Sequence, residues 1–467
     1  MKRTIYSMIM LLAIVFSSCN DWLDVSPKTE MKAEDMFSSE SGFRDALVGV
    51  YSLMSRADSY GKDLTYGYMD VLAQFYSIPK SETNHTFRYA IAYNYEETSE
   101  ENRILAIWKN HYTAIANLNM ALSFIDVNKS VFADTAVYAV YKGEMLALRG
   151  LLHFDLLRMF ASSPVMENGS GLSSLAIPYL NVYTNVAQPQ RTVQEILALV
   201  CKDLLEAKRL MKDKEDFNEW DSSLPMYNRI QRMNYFAATA LLARVYLYGG
   251  DKANALAQAK EVIGEAGVVE KPTNYQLTQR AAIDTDPMFR SELIFMLDLV
   301  KLQDMSEENW NVDSKTTLLS MTTANRNILY SVSEIGSDFR TSWLTSLPGE
   351  IYTLAKLSRV NYVPMFKLSE LYLIAAECAA GDEGLAYLNE LREHRGLKSL
   401  AGSENLEENI LLEYKREFIG EGQMFFYYKR KGLDKIGVAN DVAIADLKAI
   451  YNLPIPLSEV DFGNIKK

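Results

Sequence analysis

Aromatic side chains crowd into two stretches of the chain that lack the regular apolar spacing of helices. Between residues 58 and 100 stand Tyr60, Tyr66, Tyr68, Tyr76, Tyr89, Tyr93 and Tyr95, interrupted by Gly61, Gly67 and Pro79. Between residues 270 and 350 stand Trp310 and Trp343 among many Thr and Ser, with a single strand-like run from Leu293 to Leu299. Tyr and Trp join a flat apolar face to a polar handle at low entropic cost. A sugar ring offers C–H groups on one face and hydroxyls at its rim, so such residues, flanked by side chains that hydrogen-bond in a plane, suit carbohydrate. The expected glycan-contacting set is Trp310, Trp343, Tyr66, Tyr68, Tyr76, Tyr93 and Tyr95, with Asn84, Arg88 and Arg340 as polar neighbours. Trp108, spaced with Ile104, Ile107 and Ile115, belongs to a helix core instead. Two or three aromatic contacts contribute about 0.5–1.5 kcal/mol each. Little of that survives the cost of association, so micromolar to millimolar affinity is expected.

Catalytic chemistry finds no comparable pattern. The sequence holds no HExxH, GxSxG, phosphate-binding loop or CxxC pair. His85, His111, His153 and His394 are scattered, and none has a second histidine four residues on, so neither a metal site nor a cofactor is expected. Sixty acidic residues guarantee close carboxylate pairs, but a glycosidase is diagnosed by their separation in space. No enzyme is expected. A net charge of −12 without any Lys/Arg run argues against a nucleic-acid partner.

Lys2 and Arg3, an apolar run from Ile5 to Phe16, and Ser17-Ser18-Cys19 form a basic, apolar and small-residue series typical of an export signal. The run is too short for the roughly 20 residues of a spanning helix. Cys19 behind two small residues resembles a bacterial lipobox, in which residues 1–18 are removed and Cys19 carries lipid. Their removal takes two basic residues and no acid, which moves the charge from −12 to −14. Residues 19–30 then form a tether, 31–215 an N-terminal region with the first excursion, and 216–467 a C-terminal region with the second.

Helices must position the excursions. Apolar residues recur at helical spacing over 43–54, 103–124 and 137–160. Thr192 with Glu195 makes a capping box that starts a helix running to about Met211. A linker with Asp216, Asn218, Trp220 and Pro225 follows. Met233 to Tyr248, a Gly249-Gly250-Asp251 turn and Lys252 to Ile263 match a tetratricopeptide hairpin, with Ala255 and Ala259 small at the crossing. Leu368–Ala380 and Gly384–His394 echo it around Gly381-Asp382, with Glu377 in the place of Tyr246. The expected fold is mainly all-α. Cys201 and Cys378, in helical patterns, read as buried thiols.

Several of these segments together resemble the SusD/RagB family of outer-membrane lipoproteins. They are the start Cys19, Asp21, Trp22, Leu23, Asp24 and Pro27; the helix bearing Trp108, Tyr112, Ile115 and Asn117; and the helix with Glu144, Ala147, Arg149, His153, Phe154, Leu157 and Phe160. "ALLARVYLY" (240–248), "KLSELYLIAAECAA" (367–380), "NELREHRGL" (389–397), "EYKREFIGEGQMFF" (413–426) and "NLPIPLSEV" (452–460) follow in the family's order. Gln423 stands where the family usually has arginine, and Tyr427-Tyr428-Lys429-Arg430 where it has tryptophan, which bears on subfamily more than on fold. The resemblance implies right-handed tetratricopeptide-like helix pairs supporting a loop-built glycan site. It also implies a SusC-like TonB-dependent outer-membrane transporter as partner, and a lipid-anchored place at the cell surface. Some relatives take peptides, so a peptide-capturing protein of the RagB type stays open, as does a scaffold that binds no ligand.

Overall fold

Ser39 accepts the Gly42 amide and so opens α1 (Glu40–Met54), whose Phe43, Leu47, Val50, Tyr51 and Met54 fall on one buried face. It packs on α2 (Thr98–Ile125), which in turn lies along α3 (Thr135–Phe160). Helix α3 is buried nearly all round and forms the centre of the N-terminal half. Its other flank meets α4 (Val193–Met211) over a long contact. Gly150 makes that approach possible, because a Cβ there would lie 3.3 Å from Leu204 side-chain atoms. The capping box at α4 forms as expected: Glu195 N–H donates to Thr192 Oγ1 at 3.2 Å, and Thr192 N–H to Glu195 Oε2 at 2.8 Å. The computed structural model describes residues 32–215, 229–264, 275–280, 286, 288–334, 336–358, 360–463 and 465. Cys19, its tether, the export signal and the linker residues Asp216, Asn218, Trp220 and Pro225 lie outside the described residues.

The tetratricopeptide-like hairpin is α5 (Tyr235–Tyr248) and α6 (Lys252–Ile263), with Gly250 at a left-handed φ of +85° in the turn. After α7 (Leu302–Trp310), within the second excursion, come α8 (Leu368–Ala379), α9 (Gly381–Glu393), α10 (Leu406–Phe418) and α11 (Met424–Lys431). Helix α8 packs on α6, so the two echoing hairpins stack on each other. Glu377, in the tyrosine's place, is buried and accepts two hydrogen bonds from Arg430 at 2.7 Å, which offsets the cost of burying its charge. Gln423 Oε1 accepts from Arg158 at 3.1 Å and so ties α11 back to α3. The architecture is predominantly helical, with paired helices and short strands in the excursions.

The second excursion is more regular than its sequence suggests. It holds β1 (Leu293–Asp298), β2 (Met321–Thr322) and β3 (Leu344–Leu347), and β4 (Ile351–Leu354) and β5 (Tyr362–Lys367) follow. Strand β1 pairs antiparallel with β5, and β2, β4 and β3 form a second antiparallel sheet in that order. Strand β1 falls on the run that reads as a strand, whereas β2, β3 and β4, of two to four residues, are too short to show a clear period of two. Helix α7 carries no apolar stripe in its sequence, because it buries Ser306 and Asn309 beside Leu302.

Buried charge joins this excursion to the C-terminal helices. The Arg340 guanidinium lies 2.8 Å from Asp338, 2.7 Å from Glu413 and 2.9 Å from Glu417, all fully buried. Arg395 bridges Glu417 and Glu292 at 2.6 and 2.7 Å. The surrounding guanidiniums and Lys367 hold the Glu417 carboxyl well below its usual range, against the opposing effect of burial. The first excursion is held from the same side. Asp70 accepts the backbone N–H of Gly420 at 2.6 Å and of Gly422 at 2.9 Å. Gly422 has φ +70°, and a Cβ there would fall 2.1 Å from the Leu64 carbonyl oxygen, so only glycine fits this clasp.

Candidate functional site

Most of the expected glycan-contacting residues are inside the protein. Tyr66 and Tyr68 are fully buried, and Tyr76 donates from its hydroxyl to the Tyr66 carbonyl at 2.9 Å. Tyr93 is half-buried, in the left-handed region at φ +56°, and its hydroxyl donates to the Leu72 carbonyl at 2.8 Å. Trp343 is 1% exposed, with Phe289 at 5.1 Å and the Lys356 ammonium 3.9 Å over its ring. Arg340 is consumed by the ionic cluster described above. The expectation that Tyr66, Tyr68, Tyr76, Trp343 and Arg340 touch ligand is therefore corrected. The excursions are packed regions whose rings fill their own interior, and their phenols are driven upward in pKa by that burial.

Trp310 is the exception. It ends α7, is half-buried, and rests on Tyr66 with ring centroids 5.3 Å apart. Its indole Nε1 and the Tyr66 hydroxyl are buried without a hydrogen-bond partner, a condition that costs about 1–3 kcal/mol for each group. Trp310 also borders a cavity of about 520 Å³, lined further by Gln303, Asp304, Ser306, Glu307, Asn311 and Ser358. Gln303, Glu307 and Trp310 recur at spacings of four and three, so one face of α7 supplies most of the wall. Asn309 anchors the end of this helix: its Nδ2 donates to the Thr317 carbonyl at 2.8 Å, and its carbonyl accepts the Leu319 N–H at 2.9 Å.

The segment after α7 is also where the two excursions meet. Ser77 N–H donates to the Ser320 carbonyl at 2.7 Å and Thr86 N–H to that of Thr316 at 2.8 Å. His85 Nδ1 accepts the Phe87 N–H at 3.1 Å, which leaves Nε2 to donate to the Leu318 carbonyl, also at 3.1 Å. Burial holds this imidazole below its ordinary pKa, in keeping with a neutral ring. Asn84 is exposed on the same segment, and Arg88 is half-buried over the Tyr89 ring at 4.1 Å, bonded to the Thr83 carbonyl and the Tyr89 hydroxyl. Neither lines the Trp310 cavity.

Tyr95 borders a second cavity, of about 670 Å³, walled by Ile104, Leu105, Pro454, Ile455 and Leu457 with Glu96 and Glu101 at its edge. Its hydroxyl is spent on the Ile450 carbonyl at 2.7 Å, and the remaining wall is aliphatic rather than aromatic. Among the described residues, no group of three or more His, Cys, Asp or Glu is placed to hold a metal ion, and no helix is long and apolar enough to cross a membrane. Cys201 and Cys378 are free, half-buried thiols, raised in pKa by burial.

Residues 21–247 match a family model described as SusD-like, starch-binding and associating with the outer membrane, and residues 352–460 match the SusD family model. The chain belongs to the SusD/RagB family. A SusD-like protein of Formosa agariphila is 22% identical, over 99% of this chain and 97% of its own length. A solved SusD superfamily protein of Bacteroides thetaiotaomicron is 25% identical with a TM-score of 0.75, over 92% of this chain and 99% of that one. A laminarin-binding SusD-like protein shares the fold at a TM-score of 0.65 and 18% identity, over 92% of this chain and 98% of that one. SusD/RagB membership carries the general role of sugar binding at the outer membrane, in a family of binding proteins rather than enzymes. The stretch between the two matched regions contains α7 and the cavity residues 303–311, so membership alone assigns them nothing.

Of the residues expected from sequence, Trp310 borders this cavity; Gln303, Asp304, Ser306, Glu307, Asn311 and Ser358 were not among them. The one available clue was the helical spacing of Gln303, Glu307 and Trp310 within a segment that reads as irregular.

Proposed function

We propose that this SusD/RagB protein captures an oligosaccharide in the Trp310 cavity and passes it to a SusC-like TonB-dependent transporter, while lipid on Cys19 holds it at the cell surface. The half-buried indole beside an open, polar-walled cavity carries the reading, because it combines a flat apolar face with amide and hydroxyl groups at its edge. One aromatic platform gives weak affinity, in the micromolar to millimolar range on the order-of-magnitude argument from stacking energies. Oligosaccharides are favoured over monosaccharides because they reach the cavity walls as well as the ring. The test is calorimetric titration of the full-length protein in detergent against a panel of oligosaccharides and peptides. Binding to a glycan class that Trp310→Ala loses is the expected result. Binding that survives Trp310→Ala, or binding to peptides alone, overturns the site or the ligand class respectively. Cys19→Ala is expected to shift the protein from the membrane to the soluble fraction.

A further inference from the structure

Residues 316–320 bond alternately to two neighbours. The carbonyls of Thr316, Leu318 and Ser320 accept from the first excursion: from Thr86 N–H at 2.8 Å, His85 Nε2 at 3.1 Å and Ser77 N–H at 2.7 Å. The residues between them serve the end of α7. The Thr317 carbonyl accepts from Asn309 Nδ2 at 2.8 Å, its hydroxyl donates to the Glu308 carbonyl at 3.1 Å, and Leu319 N–H donates to the Asn309 carbonyl at 2.9 Å. Such alternation has the period of an extended chain. The segment thereby ties the first excursion to the two residues that precede Trp310, while Tyr66 of the same excursion touches the indole directly.

Of the three bonds from the first excursion, two come from backbone amides and one from a side chain that can take a proton. We infer that His85 is a positioning residue for Trp310: its neutral imidazole holds 316–320 and with it the end of α7, and protonation releases them. A second proton goes to Nδ1, the nitrogen that accepts the Phe87 N–H at 3.1 Å, and sets two donors against each other. Burial opposes that proton, as does Lys62, whereas Glu82 on the same segment favours it. Around Lys62 stand Glu308 of α7 and the ion pair of Asp63 with Arg103 of α2; Arg88 lies three residues after His85, and the facing segment carries the exposed Asp313 and Lys315. An imidazole held below its ordinary pKa contributes fully above about 6.5 and loses its contribution as pH falls through the folded-state value. Resting on the reading of this cavity as the glycan site, the consequence is weaker capture at acid pH.

The experiment reads Trp310 without a ligand, as the difference in acrylamide quenching of fluorescence between the full-length protein in detergent and its Trp310→Phe variant, from pH about 7.5 to about 5. Quenching is expected to rise about twofold or more as pH falls below about 6.5. His85→Gln keeps an amide donor for the Leu318 carbonyl and does not titrate, so its profile is flat; His85→Ala is quenched strongly at every pH. The wild-type profile reproduced in His85→Gln assigns the proton elsewhere and overturns the inference. His85→Ala quenched like the wild type, with only a loss of stability in denaturant unfolding, marks a merely structural role and overturns it too. The oligosaccharide panel is then titrated at both ends of the pH range, where affinity is expected to fall about threefold or more at acid pH in the wild type and to hold in His85→Gln. Affinity that holds in the wild type while its quenching rises overturns the link to capture. Absence of binding by the whole panel, with the quenching profile as expected, removes the glycan reading and leaves the positioning role standing.

Discussion

Trp310 and Trp343 lie in the same excursion and have opposite environments. Trp343 is enclosed by Phe289, Lys356 and Lys367, beside a cluster in which Arg340, Asp338, Glu413 and Glu417 satisfy one another. Trp310 packs against Tyr66 and borders an open cavity. The difference shows what aromatic density in a loop-rich segment achieves. Most of the rings supply the hydrophobic interior that short strands cannot, and that interior is what lets a single ring be held at the surface in one orientation.

The contrast is most sharply tested where burial is deepest. Replacing Arg340 by Met leaves three buried carboxylates short of a partner, and a loss of about 3–5 kcal/mol in denaturant unfolding is expected. Trp343→Ala opens a cavity in the same region and is expected to cost a similar ~3–5 kcal/mol. Trp310→Ala should cost about 1 kcal/mol or less while abolishing glycan binding. Equal destabilisation by the two tryptophan variants would remove the distinction between them.

A smaller effect concerns the clasp on the first excursion. Burial pushes the Asp70 carboxyl up to about 8, against the opposing pull of two backbone amides and Lys356. A carboxyl raised in the folded state keeps a proton that the unfolded chain has released, so its contribution to stability falls as pH rises from about 4 to about 8. Asp70→Asn holds no such proton. The wild-type-minus-variant difference in unfolding free energy should therefore shrink or change sign across that window. Smallest of all, Asn84→Ala and Arg88→Ala should leave glycan affinity within about twofold, since neither borders the cavity.

The scaffold was legible because helices write their geometry into sequence. The capping pair Thr192 and Glu195, the turn at Gly249-Gly250-Asp251 and the small crossing residues Ala255 and Ala259 all took the expected places. The site was less so. A tyrosine in a segment without period carries no mark of which way it points: Tyr66 and Tyr68 are fully buried, and nothing in their spacing distinguishes them from Tyr89, which is half-exposed. The direction of Arg340 depended on Glu413 and Glu417, more than seventy residues away, which no local pattern reports. Asp304 and Glu307 were hidden among sixty acids until α7 placed them at one cavity.

The Asp70 clasp also governs the order in which the molecule can assemble. Its partners Gly420 and Gly422 lie 350 and 352 residues further on, and Tyr95 reaches Ile450 across 355. Contacts so distant along the chain are slow to form, because closing the loop costs entropy before any contact rewards it. During synthesis, or passage through a translocation pore in the N-to-C direction, the first excursion must wait for almost the whole chain to emerge. Its tyrosines stay uncovered meanwhile, which makes that interval the one in which the chain is most open to aggregation and most in need of a holding chaperone.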